Sequence, residues 1–105
     1  MKEILLVNCK EKILYRGTIF RFKGKYPFTE HSVDWMICES PEQTGNCAPL
    51  VLYCVTGYYA GVREYVFPIE AKTKDAIEIN TTWLVENWNK MIYDGCDVSK
   101  VKVIL

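Results

Sequence analysis

Hydrophobic and polar positions alternate with a short period along most of the first eighty residues. Ile4 to Val7 reads as a first strand, and Lys10 to Lys12 as a polar turn. From Ile13 to Lys23 the pattern runs through Thr18, Phe20 and Phe22, with Arg21 and Lys23 on the other face. This predicts one strand bent near Gly17. Gly24 to Ser32 reads as a loop. Val33 to Glu39 sets Val33, Trp35 and Ile37 against Asp34, Met36 and Cys38, so Trp35 faces inward. Ser40 to Pro49 carries Pro41, Gly45, Asn46 and Pro49, a turn cluster. Leu50 to Thr56 is apolar until its end, as in a central strand covered on both faces. Gly57 to Gly61 makes a tight connection to Val62 to Ile69, where Tyr65, Phe67 and Ile69 share a face. Pro68 marks an edge or a bulge there. Lys72 to Ile79 is irregular.

After Asn80 the period changes. Leu84, Trp88, Met91 and Ile92 form an apolar stripe at helical spacing, which predicts a helix over Thr82 to Tyr93. Asn80, Thr81 or Thr82 supplies the N-cap. Trp83 falls off the stripe and covers a core edge. Gly95 ends the helix in the left-handed conformation. Val101, Val103 and Leu105 alternate along a final strand. The sum is an α+β fold: a five- or six-stranded, mostly antiparallel sheet with one C-terminal helix packed on a face. The final strand returns beside or beneath that helix.

Composition narrows the function classes. The 105 residues amount to a single domain over 1–105, and half of them are apolar. No apolar run approaches the ~20 residues of a membrane span. The start lacks the roughly 7–15 apolar residues of a signal peptide. A cytoplasmic protein without membrane contact is expected. Five cysteines (Cys9, Cys38, Cys47, Cys54 and Cys96) show no close pair, and His31 is the only histidine. No metal site, disulfide framework or cofactor is expected. A Cys–His couple would need a third orienting group that nothing marks. Nucleotide-binding, nucleophile-elbow and zinc-protease motifs are absent. Glu39 and Glu42 flank Ser40-Pro41 and read as a charged, solvated loop rather than an acid/base pair. No catalytic residue emerges, so the chain reads as a binding module rather than an enzyme.

Three stretches bear on partners. Net charge is zero, but residues 26–99 hold four Lys/Arg against eleven Asp/Glu, an excess of seven negative charges. Such a stretch favours a basic partner. Tyr15 to Phe28 interleaves Tyr15, Phe20, Phe22, Tyr26 and Phe28 with Arg16, Arg21, Lys23 and Lys25, the composition of a single-stranded nucleic-acid binder. Alternation puts the phenylalanines and cations on opposite faces, whereas stacking beside phosphates needs them on one, so nucleic acid is not the expected partner. Tyr58 and Tyr59 sit at a hairpin tip. Two adjacent tyrosines cannot both enter one core, so at least one is exposed, near Arg63, in the manner of an interface hot spot.

Three blocks, in this order and spacing, resemble a small family of bacterial immunity proteins, number forty-five among those of polymorphic-toxin systems. They are DWMICES at Asp34–Ser40, LVLYCVTGYYAGVREYVFPIEA at Leu50–Ala71, and TTWLVENWNKMIYDGCDVSKVKVI at Thr81–Ile104. The middle block carries a Thr-Gly-Tyr-x-Ala-Gly core and the last a Trp-Leu-x-x-Asn-Trp start. The resemblance implies a cytoplasmic antidote that binds the toxic C-terminal domain delivered by a neighbouring cell, as in contact-dependent growth inhibition. It implies occlusion of the toxin's active site or substrate-binding face, without catalysis. Toxins of this kind are often nucleases, whose phosphate-binding faces are basic. The partner contacts expected on that reading are Glu39, Glu42, Tyr58, Tyr59 and Glu64.

Overall fold

The computed structural model describes all residues except 1, 26–27, 29–31, 41–46 and 75. His31 and Glu42 therefore lie outside the described residues. Among the described residues, eight strands form two antiparallel sheets: β1 (Glu3–Leu5), β2 (Ile13–Leu14), β3 (Ile19–Phe22), β4 (Val33–Glu39), β5 (Cys47–Cys54), β6 (Arg63–Pro68), β7 (Ile79–Asn80) and β8 (Lys102–Ile104). The main sheet has the order β1-β8-β3-β4-β5-β6, and β2 pairs with β7. One helix, α1 (Thr81–Asn87), follows β7 and continues as a π-helical turn over Trp88–Ile92. The α+β architecture expected from the sequence is present.

Alternation settles which face of the sheet is core. Phe20, Phe22, Val33, Trp35, Ile37, Leu50, Leu52, Cys54, Phe67, Val101 and Val103 are buried on the inner face with Leu84 and Trp88 of the helical segment. Rings dominate the centre. Trp88 lies 5.4 Å from Phe20, 5.8 Å from Phe22 and 6.3 Å from Trp35 between ring centroids. Tyr93 closes the group, 5.0 Å from Phe22 and 5.4 Å from Trp35, and its hydroxyl accepts from Lys25 N–H at 2.8 Å.

Asn80 is the N-cap; its Oδ1 accepts from Trp83 N–H at 3.0 Å. Trp83 is half-buried against Phe67, covering a core edge as expected.

Four expectations need correction. The single bent strand over residues 13–23 is two. Gly17 takes φ +89° and Thr18 N–H closes a turn on Tyr15 C=O, sending β2 to β7 and β3 into the main sheet. The turn cluster ends sooner than expected, because β5 already begins at Cys47. The helical stripe fails at Met91, which is 50% exposed. A π turn fits an extra residue, with Tyr93 N–H bonded to Trp88 C=O, and rotates Met91 out of register. Gly95 is not left-handed. Its missing side chain serves close packing instead: a Cβ there would collide with the ring of Tyr93. At two strand ends the alternation also stops short, leaving Ile69 and Leu105 exposed.

Candidate partner-binding surface

The β5–β6 connection presents the most exposed aromatic group among the described large hydrophobic residues. Gly57 (φ +68°) and Gly61 (φ +93°) let the chain turn tightly through a 3₁₀ segment, Gly57–Tyr59. Tyr58 is 88% exposed and stands edge-on to Tyr59 at 5.2 Å. Tyr59 in turn stands edge-on to Phe28 at 5.3 Å, and Phe28 belongs to the core. One tyrosine is thus an anchor and the other a presented group. Val55 and Val62 are exposed beside them.

Glu64 lies on the same hairpin. Leu52 pairs with Tyr65 but the next residue, Tyr53, pairs with Arg63, so Glu64 is an extra residue at a β-bulge. Tyr65 and Phe67 point inward, which turns Glu64 and Val66 to the outer face. Glu64 Oε2 is buried without a hydrogen-bond partner, and desolvation raises the carboxyl pKa above its ordinary value.

The outer face has a second charged group that sequence reading missed. Arg21 forks onto Asp34, with Nε to Oδ1 at 2.8 Å and Nη2 to Oδ2 at 2.9 Å. Its Nη1 reaches Glu3 at 3.1 Å, and Lys102 reaches the same carboxylate at 3.2 Å. Asp34 is buried, and its N–H donates to Thr56 Oγ1 at 2.9 Å. The register explains the cluster: Arg21 pairs with Asp34 on one side and Lys102 on the other. Opposite charges on one face of neighbouring strands are its sequence signal.

Glu39 is elsewhere. It ends β4 opposite Leu50, while the Asp34 end of β4 holds the hairpin through Val55 N–H. Five residues of extended strand separate them, about 17 Å. Glu39 accepts from Arg16 at 2.6 Å, near exposed Tyr15 and Ile77. Tyr58, Tyr59 and Glu64 therefore share one hairpin, the tyrosines at its turn and Glu64 on its second strand, and Glu39 is not part of it.

Among the described residues no cluster of His, Cys, Asp and Glu could hold a metal ion. None of the five cysteines is in a disulfide, and burial pushes the thiol of Cys38 up, away from the reactive thiolate. Phe20, Phe22 and Phe28 are buried and cannot stack on bases, while Arg16 and Arg21 are engaged by carboxylates. No described helix is long and apolar enough to cross a membrane.

Searches against curated proteins and against solved structures return no match. The family model described as Immunity protein 45 matches residues 6–103, nearly the whole chain and all of the three blocks noted above but Ile104. The chain belongs to the Immunity protein 45 family.

Proposed function

We propose that this immunity protein binds the toxic C-terminal domain of a secreted polymorphic toxin and neutralises it in the cytoplasm. The toxin is of the kind exchanged in contact-dependent growth inhibition. Inhibition is by occupancy: the chain covers the toxin's active site or its substrate-binding face and performs no chemistry.

The observation that carries this reading, in a chain of an immunity family, is the mounting of Tyr58. An exposed tyrosine fixed through Tyr59 to Phe28 is a hot-spot residue on a rigid base. Little side-chain freedom remains to be lost on binding, which favours affinity. Tyr58 and Tyr59 form the centre of the contact, with Glu64 on the same hairpin. Glu39, about 17 Å along β4, would be reached only by a partner spanning the sheet.

A nuclease is the toxin class the charge favours. Residues 26–99 carry the acidic excess, and Glu64, Glu70, Glu86 and Asp94 have no ion pair among the described residues. Acidic groups without internal partners steer a basic, phosphate-binding surface.

Co-expression tests the reading. Cells producing the toxin domain should survive when they also produce this chain, and purified chain should titrate the toxin's activity at one to one. Loss of viability despite stable, folded chain refutes it.

A further inference from the structure

The outer face of the sheet is unevenly satisfied. The helix lies on the inner face, leaving Ile19, Met36, Tyr53 and Val66 half-buried on the outer one. At the β1–β8–β3–β4 side, Glu3, Arg21, Asp34 and Lys102 neutralise one another through direct contacts. At the β6 side, Glu64 has neither state that a carboxylate ordinarily takes. One oxygen is shut off from solvent, yet it has no hydrogen-bond donor and no ion pair among the described residues. Arg63, its chain neighbour, is exposed and makes no bond to it. A desolvated, unpaired carboxylate is unfavourable in the free chain and gains more than a solvated one when a cation arrives. The bulge matters here, because it places the extra residue at the rim of an edge strand that a partner can approach.

We propose that the β6 edge of this outer face receives a basic side chain, an arginine or lysine of the toxin domain, with Glu64 as its acceptor and the half-buried Met36, Tyr53 and Val66 as the apolar bed around it. The inference rests on the toxin-binding reading above and adds the residue and the chemistry of the contact. A guanidinium suits it best: it is weakly hydrated, and its stem can lie along the apolar bed while its fork meets the carboxylate. Tyr58 at the hairpin tip and Glu64 along the strand then belong to one surface, aromatic at the end and anionic inside.

The test uses the toxin domain whose toxicity the chain suppresses, inactivated by substitution at its catalytic residue. Binding is measured calorimetrically for wild type, Glu64→Gln and, as a control at an exposed acid outside the acidic stretch, Glu11→Gln. E64Q should weaken binding about 10- to 100-fold and flatten its salt dependence. E11Q should bind as wild type. Thermal unfolding of the free chains supplies a second readout: E64Q should be as stable as wild type or more stable, since it removes a desolvated charge. Unchanged affinity for E64Q overturns the inference while leaving the toxin-binding reading intact. So does a loss of stability in free E64Q, which would make Glu64 a residue of the fold. Failure of the wild-type chain to bind the toxin overturns both.

Discussion

Two tryptophans of one helical segment should differ several-fold in what they contribute. Trp88 is fully buried and meets three rings, those of Phe20, Phe22 and Trp35. Trp83 is half-buried and meets one, that of Phe67 at 6.2 Å. Replacing a buried tryptophan by alanine costs about 3–5 kcal/mol. Aromatic pairs add roughly 0.5–1.5 kcal/mol each beyond area burial, which places Trp88→Ala at the upper end. That is a large part of the ~5–15 kcal/mol by which a domain is stable. Trp83→Ala, with half the burial and one pair, should cost about 1.5–2.5 kcal/mol. The indole N–H of Trp88 is buried without a partner, so Trp88→Phe keeps a ring and loses an unsatisfied donor. It should cost less than Trp83→Ala. Urea unfolding followed by amide circular dichroism separates the three, because fluorescence is itself changed by the substitutions. With m of about 1–3 kcal/mol/M, the midpoint of Trp88→Ala should fall by about 2 M and that of Trp83→Ala by no more than about 1 M. Equal losses for the two alanine variants would refute the assignment of Trp88 to the centre of the core.

Tyr58→Ala should leave the unfolding midpoint within experimental scatter yet weaken toxin binding at least tenfold, measured by calorimetry. Gly95→Ala should destabilise by about 1–3 kcal/mol because the added methyl meets the Tyr93 ring; in a Tyr93→Ala background the same change should cost little, a coupling read from a double-mutant cycle. Asp34→Ala should cost about 1–2 kcal/mol, since it strips the forked acceptor from Arg21 at a buried position, while Glu39→Ala, losing an exposed pair, should cost about 0.5 kcal/mol or less. The pH profile of stability should carry the mark of Glu64. Its folded-state pKa lies above the ordinary value near 4.5, so the native chain holds the proton longer than the unfolded chain. Stability contributed by this group is therefore full below that value and is lost as pH rises through the folded pKa, and the difference between wild type and E64Q should vanish at the acid end.

The parts of the fold that the sequence made legible are those where a single period holds. The bounds of β4 were readable because Val33, Trp35 and Ile37 alternate without interruption against polar or adaptable neighbours. The division between β2 and β3 was not, since alternation continues through Gly17 while the backbone turns away at its positive φ. Met91 was placed on the core stripe by a 3.6-residue period that the π turn at Trp88–Ile92 does not keep. The candidate surface divides similarly. Adjacent Tyr58 and Tyr59 required one exposed ring on geometric grounds alone, and the ring contacts decide which. The burial of Glu64 Oε2 depends on a register shift between β5 and β6 that no local pattern encodes. The Arg21–Asp34 fork required knowing that those two residues stand opposite one another across two strands.

The position of β8 has a consequence for how the protein comes into being. Residues 102–104 pair with β1 on one side and β3 on the other, and Leu105 N–H closes on Lys2 C=O. The first strand therefore has no place in the sheet until a segment about a hundred residues later has been made. A nascent chain that has exposed only β3 to β6 holds four neighbouring strands, but Phe20 and Phe22 still lack Trp88, and Phe20 lacks its cross-strand partner Val103. Such long-range closure favours slow, all-or-none folding over stepwise assembly during synthesis. Protection by this protein then begins with the completed chain, and each incoming toxin molecule is met by copies already folded rather than by those still on the ribosome.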